Sequence, residues 1–408
     1  MDDRQAKAAT RFVLATVFIY AIGFGIIMPV LPKLVVTLGD VSLSEATRIG
    51  GWLILTYALF QFLFGPLIGN LSDRFGRRPI LLLSMAGFGI DYAVMGFAPT
   101  LAWLFAGRMI AGTFGAAFST AYATLSDIYG EDDRARVFGL IGAAFGIGFI
   151  VGPAIGGLIG ELGTRLPFFV ASGLALANLV YGFFVFPETH ARENRRPFRL
   201  ARANPLGALL KLRHVPGILP MAGVFLLWTT AINVYPSVWA YFTQLRFGWS
   251  EGLVGLSLAW VGLLMALVQA LAIGPLVKRF GERRAAMIGI VSGTAGFLLI
   301  AVVSVGWATY VIMAVTALHA LSGPSLIALM SRRAPADMQG ELQGFNSSLT
   351  ALAAIAAPLV FNPSLAYFTS PDAPMRFAGA PFVISTAVGT LALLVLICTR
   401  HVRAPTPG

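Results

Sequence analysis

The chain repeats one short pattern, Gly69-Asn-Leu-Ser-Asp-Arg-Phe-Gly-Arg-Arg78, which returns as Gly274-Pro-Leu-Val-Lys-Arg-Phe-Gly-Glu-Arg283. The same offset of 205 residues relates two further pairs of residues, Gly139 with Gly344 and Pro153 with Pro358. Three landmarks at one offset indicate an internal duplication, in which each copy supplies one half of the fold.

Composition places both copies in a membrane. Hydrophobic residues make up 57% of the 408 residues and charged residues only 12%, with a mean hydropathy of +0.80. A water-soluble chain needs more polar surface, whereas a membrane-spanning helix needs about 20 mostly apolar residues. The pattern predicts an all-α membrane protein with twelve transmembrane helices, at roughly 11–35, 48–71, 79–98, 101–126, 135–160, 166–187, 217–243, 251–275, 285–304, 307–330, 341–362 and 377–399.

The basic residues predict the orientation of these helices. One set of helix ends carries 23 Lys and Arg residues and the opposite set carries 5. Positive loops stay in the cytoplasm, so we expect a multi-pass protein of the cell membrane with both termini cytoplasmic and the first helix retained. The net charge of +11 then favours anionic lipid headgroups as partners and not nucleic acid. The single cysteine, Cys398, excludes an internal disulfide and a cysteine metal cluster.

A polar stretch from Glu188 to His214 separates the two copies. We therefore predict an N-terminal half over 1–187, a cytoplasmic linker over 188–216 and a C-terminal half over 217–408. Two parallel six-helix halves, related by an axis along the membrane normal, are the arrangement of one large class of transporters. The expected activity is movement of a small molecule across the bilayer by alternating access.

The first copy of the repeated loop carries charges that can hold helix ends. Asp73 lies where a helix ends, and Arg74, Arg77 and Arg78 can pair with it, cap neighbouring helices or touch lipid phosphate. A plain positively charged loop is the alternative interpretation.

The fifth predicted helix contains a glycine pattern, with Gly148, Gly152, Gly156 and Gly157 around Pro153. Glycines four residues apart form a groove on one helix face, where another helix can pack closely. Proline kinks the helix. Ordinary helix packing, without a role in transport, explains the glycine spacing equally well.

Two charged residues are predicted deep in the membrane. Asp91 lies roughly 18 Å along helix 3 from Pro79, and Arg108 roughly 10 Å into helix 4 from the other side, at about 1.5 Å per residue. A charge at this depth is costly unless it is paired or hydrated, so both are functional candidates. Desolvation favours a protonated carboxyl and a nearby arginine an ionised one, so Asp91 is either a proton switch or half of a permanent ion pair.

Together these motifs resemble the major facilitator superfamily. The loop from Gly69 is similar to its signature loop, and the pattern from Gly148 is similar to the signature of its drug:proton antiporters. The similarity is strongest to the tetracycline efflux pumps and covers nearly the full length. Five stretches carry it: Gly23–Pro32, Ser72–Ile80, Asp91–Tyr92, Arg246–Trp249 and Gln339–Gly344.

The resemblance implies roles for particular residues. It implies a cytoplasmic gating charge relay of Asp73, Arg74, Arg77, Arg78 and Asp127. It implies proton coupling through Asp91 and Arg108, and a central cavity between helices 1, 4, 7 and 10. The candidate wall residues of that cavity are Tyr20, Ser119, Thr120, Asn233, Tyr235, Trp239 and His319.

The chain also departs from the tetracycline pumps at three positions. The helix-1 aspartate of the pumps is Tyr20 here, their helix-8 histidine is Met265 and their helix-9 aspartate is Gly293. In the family those groups handle metal–tetracycline and protons. Their replacement argues against tetracycline as the substrate and weakens the expectation of proton coupling.

The leading interpretation is a secondary active transporter that exports a lipophilic drug-like or organic-anion molecule in a proton-coupled cycle, as a monomer. An uncoupled facilitator or differently coupled carrier is the first alternative, and a non-transporting membrane receptor or scaffold is the second. An enzyme is not expected, because the sequence contains no nucleophile with a base, no metal-ligand cluster and no phosphate-binding glycine loop. We expect no cofactor and no bound metal.

Overall fold

The computed structural model describes residues 3–115, 117–195, 215, 217–335 and 338–399. Regular structure in these ranges is helical, with no β-strand among the described residues. The helices of the first copy are α1 (Asp3–Ile27), α2 (Leu31–Gly39), α3 (Leu43–Phe75), α4 (Arg77–Phe97), α5 (Leu101–Phe114), α6 (Ala117–Ile128), α7 (Glu131–Leu162) and α8 (Leu166–Val185). Those of the second copy are α9 (Ile218–Ile232), α10 (Val234–Phe247), α11 (Glu251–Leu267), α12 (Ile273–Val302), α13 (Gly306–Val315), α14 (Ser322–Ser331), α15 (Gln339–Thr369) and α16 (Ala380–Cys398). Most of the predicted linker, 188–216, lies outside the described residues.

The helices have the length and hydropathy of membrane spans. Among the described residues, ten are long and apolar enough to cross a bilayer, and eleven if the bent pair Gly306–Val315 and Ala317–Ser331 counts as one. One of the ten is a run of 52 residues, Glu251–Val302. At about 1.5 Å per residue it is more than twice the thickness of a hydrocarbon core. Gly281, with φ of 75°, interrupts this run, and the total of twelve crossings stays a prediction.

Four of the predicted helices are broken. The sequence pattern predicts single helices over 11–35, 101–126, 217–243 and 307–330, and the structure divides each into two pieces. The breaks recur at the repeat offset of 205 residues: Met28 corresponds to Asn233 and Gly115 to Ala320. Hydropathy cannot reveal such breaks, because a membrane helix tolerates an interruption when neighbouring groups satisfy the freed backbone.

The described residues divide into two compact units. Unit 1 takes its residues from 1–46, 56–204 and 249–262, and unit 2 takes its residues from 47–55, 205–248 and 263–408. In unit 1, α1 packs along α7 and α8, and α4 packs against α5 and α8. In unit 2, α9 packs against α15 and α16, and α12 packs against α14 and α16.

The glycine pattern of α7 forms the predicted groove, and α1 fills it. The contacts advance one turn at a time, with Gly148 on Phe18, Gly152 on Ile22 and Gly156 on Ile26. A Cβ atom at Gly152 would lie 2.6 Å from the carbonyl oxygen of Ile22. Only glycine therefore permits this backbone-to-backbone packing.

A second face of α7 contacts α11 within unit 1. A Cβ atom at Gly157 would lie 3.1 Å from the Cα of Gly252, and one at Gly255 would meet the carbonyl oxygen of Pro153. Gly146 lies three turns before Gly157 on the same face, and a Cβ atom there would meet nothing within 4 Å. This face of α7 is therefore covered near Gly157 and uncovered near Gly146.

Aromatic rings form the core of unit 2. Phe382 of α16 lies 4.8 Å from Phe242 and 6.2 Å from Trp239 between ring centroids. Nearby, the side-chain amide of Asn362 donates to the carbonyl oxygens of Thr47 (3.0 Å) and Ser237 (3.1 Å). The buried amide group thus finds acceptors on two helices, as a polar group in apolar surroundings requires.

Candidate functional site

Asp91 of α4 and Arg108 of α5 form an ion pair inside unit 1, as their predicted depths allow. Arg108 donates from Nη2 to Asp91 Oδ2 (2.5 Å) and to the sulfur of Met95 (3.0 Å). The carboxylate is fully buried, and the arginine side chain is 12% exposed. Gly107 makes room for the pair, because a Cβ atom there would lie 2.7 Å from Asp91 Oδ1.

The ion pair uses only some of the hydrogen-bonding atoms of Asp91 and Arg108. Asp91 Oδ1 and Arg108 Nε are buried without a hydrogen-bond partner among the described residues. A fully buried ion pair is stable when every charged atom is satisfied, so this pair is less firmly held than a bidentate one.

Tyrosines connect the ion pair to α1 and α3. Arg108 lies over the ring of Tyr57 at 5.8 Å, and the Tyr57 hydroxyl shares a hydrogen bond of 2.7 Å with the Tyr20 hydroxyl. The amide of Gln61 donates to the Tyr57 hydroxyl (3.1 Å) and to the carbonyl oxygen of Gly115 (3.4 Å). Gln61 thus satisfies a backbone group at the break after α5. The sequence analysis missed Tyr57, although two polar residues four apart in an apolar helix were a usable signal.

Tyr20 also belongs to an aromatic cluster. Its ring lies 5.0 Å from Phe88 and 6.0 Å from Phe118, and Phe118 lies 5.3 Å from Phe145. The rings come from α1, α4, α6 and α7, so apolar aromatic surface lies directly beside the buried ion pair. Two other predicted wall residues lie on α6. Ser119 is exposed, and Thr120 is buried.

Two further predicted wall residues, Asn233 and His319, lie at helix breaks of unit 2. Asn233 separates α9 from α10, and its amide donates to the carbonyl oxygen of Thr229 (2.7 Å). His319 lies in the short turn between α13 and α14, with Nδ1 3.0 Å from the carbonyl oxygen of Thr316. A Cβ atom at Gly293 would lie 2.9 Å from the Cβ of His319. The histidine therefore packs against one of the three positions that depart from the tetracycline pumps.

Tyr235 and Trp239 have different environments. Tyr235 is half-buried, with its ring 5.6 Å from Trp239 and 5.7 Å from Phe297. Trp239 is 1% exposed and lies in the aromatic core of unit 2. It supports Tyr235 rather than presenting a surface of its own.

Charged residues from α3, α4 and α6 meet at the end of unit 1 where α3 ends and α4 begins. Arg77 donates to Asp73 Oδ1 (2.6 Å), to Asp127 Oδ2 (2.9 Å) and to the hydroxyl of Ser72 (3.0 Å). Its side chain is only 7% exposed, so the two carboxylates compensate a nearly buried cation. We call Asp73, Arg77 and Asp127 the charge relay, and residues 73–78 the signature loop.

The other two predicted relay arginines point elsewhere. Arg74 is exposed and lies over the ring of Phe75 at 5.0 Å. Arg78 donates from Nη2 to the carbonyl oxygen of Phe183 at the end of α8 (2.6 Å). Two residues that the sequence analysis did not single out, Glu188 and His190, contact the relay instead.

Unit 2 contains a charge-inverted counterpart of the relay. Glu282 and Arg332 form an ion pair of 2.5 Å, and the repeat offset maps Arg77 onto Glu282 and Asp127 onto Arg332. The repeat offset of 205 residues could have predicted this pair from the sequence. Arg283 is the counterpart of Arg78 and makes the same kind of contact. It donates to the last carbonyl oxygens of α16, those of Leu396 (2.9 Å), Ile397 (2.9 Å) and Thr399 (3.0 Å).

Metal ligands do not cluster in the part of the chain that the structure describes, where no three His, Cys, Asp or Glu side chains are placed to hold an ion.

Comparison with known proteins agrees with this architecture. The family described as Major Facilitator Superfamily matches residues 13–358. A class C tetracycline resistance protein of Escherichia coli is 42% identical over 400 residues, which cover 98% of this chain and 97% of the relative. A class G tetracycline resistance protein of Vibrio anguillarum is 36% identical and covers 98% of both chains. The crystal structure of a human organic anion transporter is 23% identical, with a TM-score of 0.72 over 97% of this chain and 100% of that one, and shows the same fold.

Proposed function

The chain belongs to the major facilitator superfamily, in the branch of the tetracycline resistance proteins, and on this premise we propose that it exports a lipophilic neutral or anionic molecule by proton-coupled alternating access. It is a membrane transporter of organic molecules and not an enzyme. Proton coupling, the direction of transport and the substrate class are the proposed parts.

The observation that carries the proposal is the buried Asp91–Arg108 pair beside an aromatic cluster. Asp91 is fully buried, and its Oδ1 has no partner among the described residues, so it can accept a proton without first losing a hydrogen bond at that atom. Desolvation favours the neutral carboxyl and Arg108 favours the ionised one, so small movements of the arginine shift the balance. Asp91 is the proposed proton carrier, with Arg108 as its partner.

The charge of the pair supports the proposed substrate class. Asp91 and Arg108 together carry no net charge, and the tetracycline pumps' other membrane acids are absent at Tyr20 and Gly293. A cation entering this environment would lose its hydration without gaining a free counter-charge, which is costly. A neutral or anionic lipophilic molecule avoids that cost and gains contact with aromatic side chains.

The helix breaks support the proposed substrate contacts. Interrupted helices at corresponding positions of two repeats mark binding sites in secondary transporters, because the freed backbone groups and neighbouring polar side chains become available to a ligand. Asn233 lies at one break, His319 at another and Thr120 just after a third. We propose as substrate-contacting residues Tyr20, Ser119, Thr120, Asn233, Tyr235 and His319, with Trp239 as support.

The charge relay is the proposed gate. Arg77 joins three helices at the cytoplasmic end of unit 1, so the relay stabilises the arrangement in which those ends are together. Arg74 and Arg78 contribute by holding neighbouring aromatic and helix-end groups. The glycines of α7, with Pro153, allow α1 to pack closely against α7, and we propose that this packing permits the movement that opens and closes the gate. The proposed setting is a monomer in the cell membrane with lipids as partners, and the charge bias of 23 to 5 supports cytoplasmic termini.

The test is proton flux in proteoliposomes that contain a pH-sensitive dye. Wild type is compared with Asp91→Asn and with the matched control Asp372→Asn, an exposed carboxylate. Three probes are added in turn: a neutral lipophilic drug, an organic anion and a dicationic drug. We expect flux with the first or second probe in wild type and control, and loss of proton movement in Asp91→Asn.

Each other result has a meaning. Robust coupling in Asp91→Asn would eliminate Asp91 as the carrier. Substrate flux without proton movement in wild type would favour a facilitator, which the tyrosine at position 20 already makes the second candidate. Strong preference for the dicationic drug would overturn the charge argument.

A further inference from the structure

After α8 the chain turns back onto the signature loop. Phe186 is buried and stacks on Phe12 of α1, with 4.6 Å between ring centroids. Glu188 then accepts hydrogen bonds from the backbone N–H groups of Arg77 (2.9 Å) and Arg78 (3.3 Å). The first N–H groups of a helix lack partners within it, and the helix dipole favours a negative charge there. Glu188 therefore fixes the start of α4, the helix that carries Arg77.

The same turn brings His190 to the charge relay. Its Nδ1 lies 3.1 Å from Asp127 Oδ2, the oxygen that also accepts from Arg77 Nε (2.9 Å). A carboxylate can only accept a hydrogen bond, so in this contact Nδ1 is the protonated ring nitrogen and donates the hydrogen bond. The His190 side chain is 9% exposed, so water competes little for this contact.

Asp127 depends on these two donors. It lies in the last turn of α6 (Ala117–Ile128), where the helix dipole disfavours a negative charge. Arg77 and His190 approach the same oxygen and together fix where the carboxylate points. Arg77 is shared with Asp73, whereas the His190 ring bonds to Asp127 alone among the described residues.

We propose that His190 is a positioning residue of the gate, which holds Asp127 in the orientation that binds Arg77 and so joins the start of the linker to the signature loop. This inference rests on the proposed gating role of the relay. It extends the gate from the loop and α6 to the first residues of the linker, so that opening the relay also frees the His190 side chain from Asp127.

The experiment uses a chemical label and needs no substrate. A Cβ atom at Gly146 of α7 would meet nothing within 4 Å while the relay is formed. We expect this position to become covered when the relay opens, so the labelling rate of a cysteine here would report the state seen here. The reporter is Gly146→Cys in a Cys398→Ser background, which leaves one cysteine in the chain. The probe is N-ethylmaleimide, applied to the full-length protein in proteoliposomes.

Four relay variants are compared in this background: Asp127→Ala, His190→Ala, the double variant and His190→Asn. Loss of a hydrogen bond to a charged group should slow labelling roughly ten- to hundredfold, because the labelled state loses population. His190→Ala should slow labelling in the same direction as Asp127→Ala, and the double variant should match Asp127→Ala alone. His190→Asn places an amide donor near the position of Nδ1 and should restore the wild-type rate.

The outcomes separate this inference from the gating proposal. If Asp127→Ala labels like wild type, the gating role fails and the inference fails with it. If Asp127→Ala slows labelling while His190→Ala does not, only the role of His190 is refuted. Additive effects in the double variant, or no rescue by His190→Asn in a protein that elutes as a folded species, would mean that His190 acts only as a structural contact.

Discussion

Removing Arg108 alone should lower the free energy of unfolding by more than the strength of its hydrogen bond to Asp91. The extra cost arises because the Asp91 carboxyl stays buried without its donor. The carboxylate is fully buried and the arginine side chain is 12% exposed, so water cannot replace the lost contact. Breaking a buried pair from one side costs about 3–5 kcal/mol of unfolding free energy. Arg108→Met should fall in this range, and Asp91→Asn should cost a similar amount, because it leaves the buried Arg108 cation without its counter-charge.

The double variant Asp91→Asn/Arg108→Met should recover much of the loss. With both charges gone, no unpaired charge remains in the interior, and similar volumes keep the packing around Gly107. We expect a coupling free energy of about 2–3 kcal/mol between the two sites. The measurement is reversible unfolding by sodium dodecyl sulfate in mixed micelles, followed by circular dichroism. Costs that add to within about 0.5 kcal/mol would refute an energetic pair.

The same variants decide between the two roles of Asp91. If the pair is only structural, the double variant should be stable and should still couple transport to protons. If Asp91 carries the proton, the double variant should be stable and uncoupled. The double variant therefore separates the effect on stability from the effect on proton coupling, whereas each single substitution changes both.

Two further predictions concern packing and charge. Gly156→Ala should destabilise the protein by about 1–3 kcal/mol, because a Cβ atom there meets the backbone of Ile26. Gly142→Ala in the same helix should cost nothing, because a Cβ atom there meets nothing within 4 Å. Equal unfolding midpoints of the two variants would contradict the groove. Glu282→Arg should lower stability by no more than about 1 kcal/mol, because Arg332 is 70% exposed, and adding Arg332→Glu should restore it. Thermal unfolding of the purified protein measures both, and a swapped double variant weaker than either single one would exclude a simple ion pair in unit 2.

The fold was largely readable from the sequence because apolar length and loop charge are local properties. Hydropathy located the helices, and the repeat around Gly69 and Gly274 located the duplication. The break at Gly115 was not readable, because its carbonyl oxygen accepts from a side chain far away in sequence. Gln61 reaches the carbonyl oxygen of Gly115 from another helix.

The candidate site could be predicted from the sequence where the depth of two residues along neighbouring helices decides whether they can meet. Asp91 and Arg108 lie on consecutive helices joined by a short turn, so distance along each helix predicted that they can meet. His190 and Glu188 were missed because they belong to a polar linker entry, where composition predicts no partner. Glu188 bonds to Arg77, 111 residues away, and only the folded chain brings the two together.

The two copies of the repeated loop differ in a way that identifies what each contact requires. Arg77 and Asp127 of unit 1 become Glu282 and Arg332 in unit 2, so the sign of the ion pair is reversed while the pair is kept. An attraction between opposite charges is unaltered when both are exchanged. Arg78 and its counterpart remain arginine in both units, because each donates to backbone carbonyl oxygens, which can only accept. A contact to the backbone therefore fixes the sign of the side chain, whereas a contact between two side chains leaves it free to change, and the duplication has preserved the first and inverted the second.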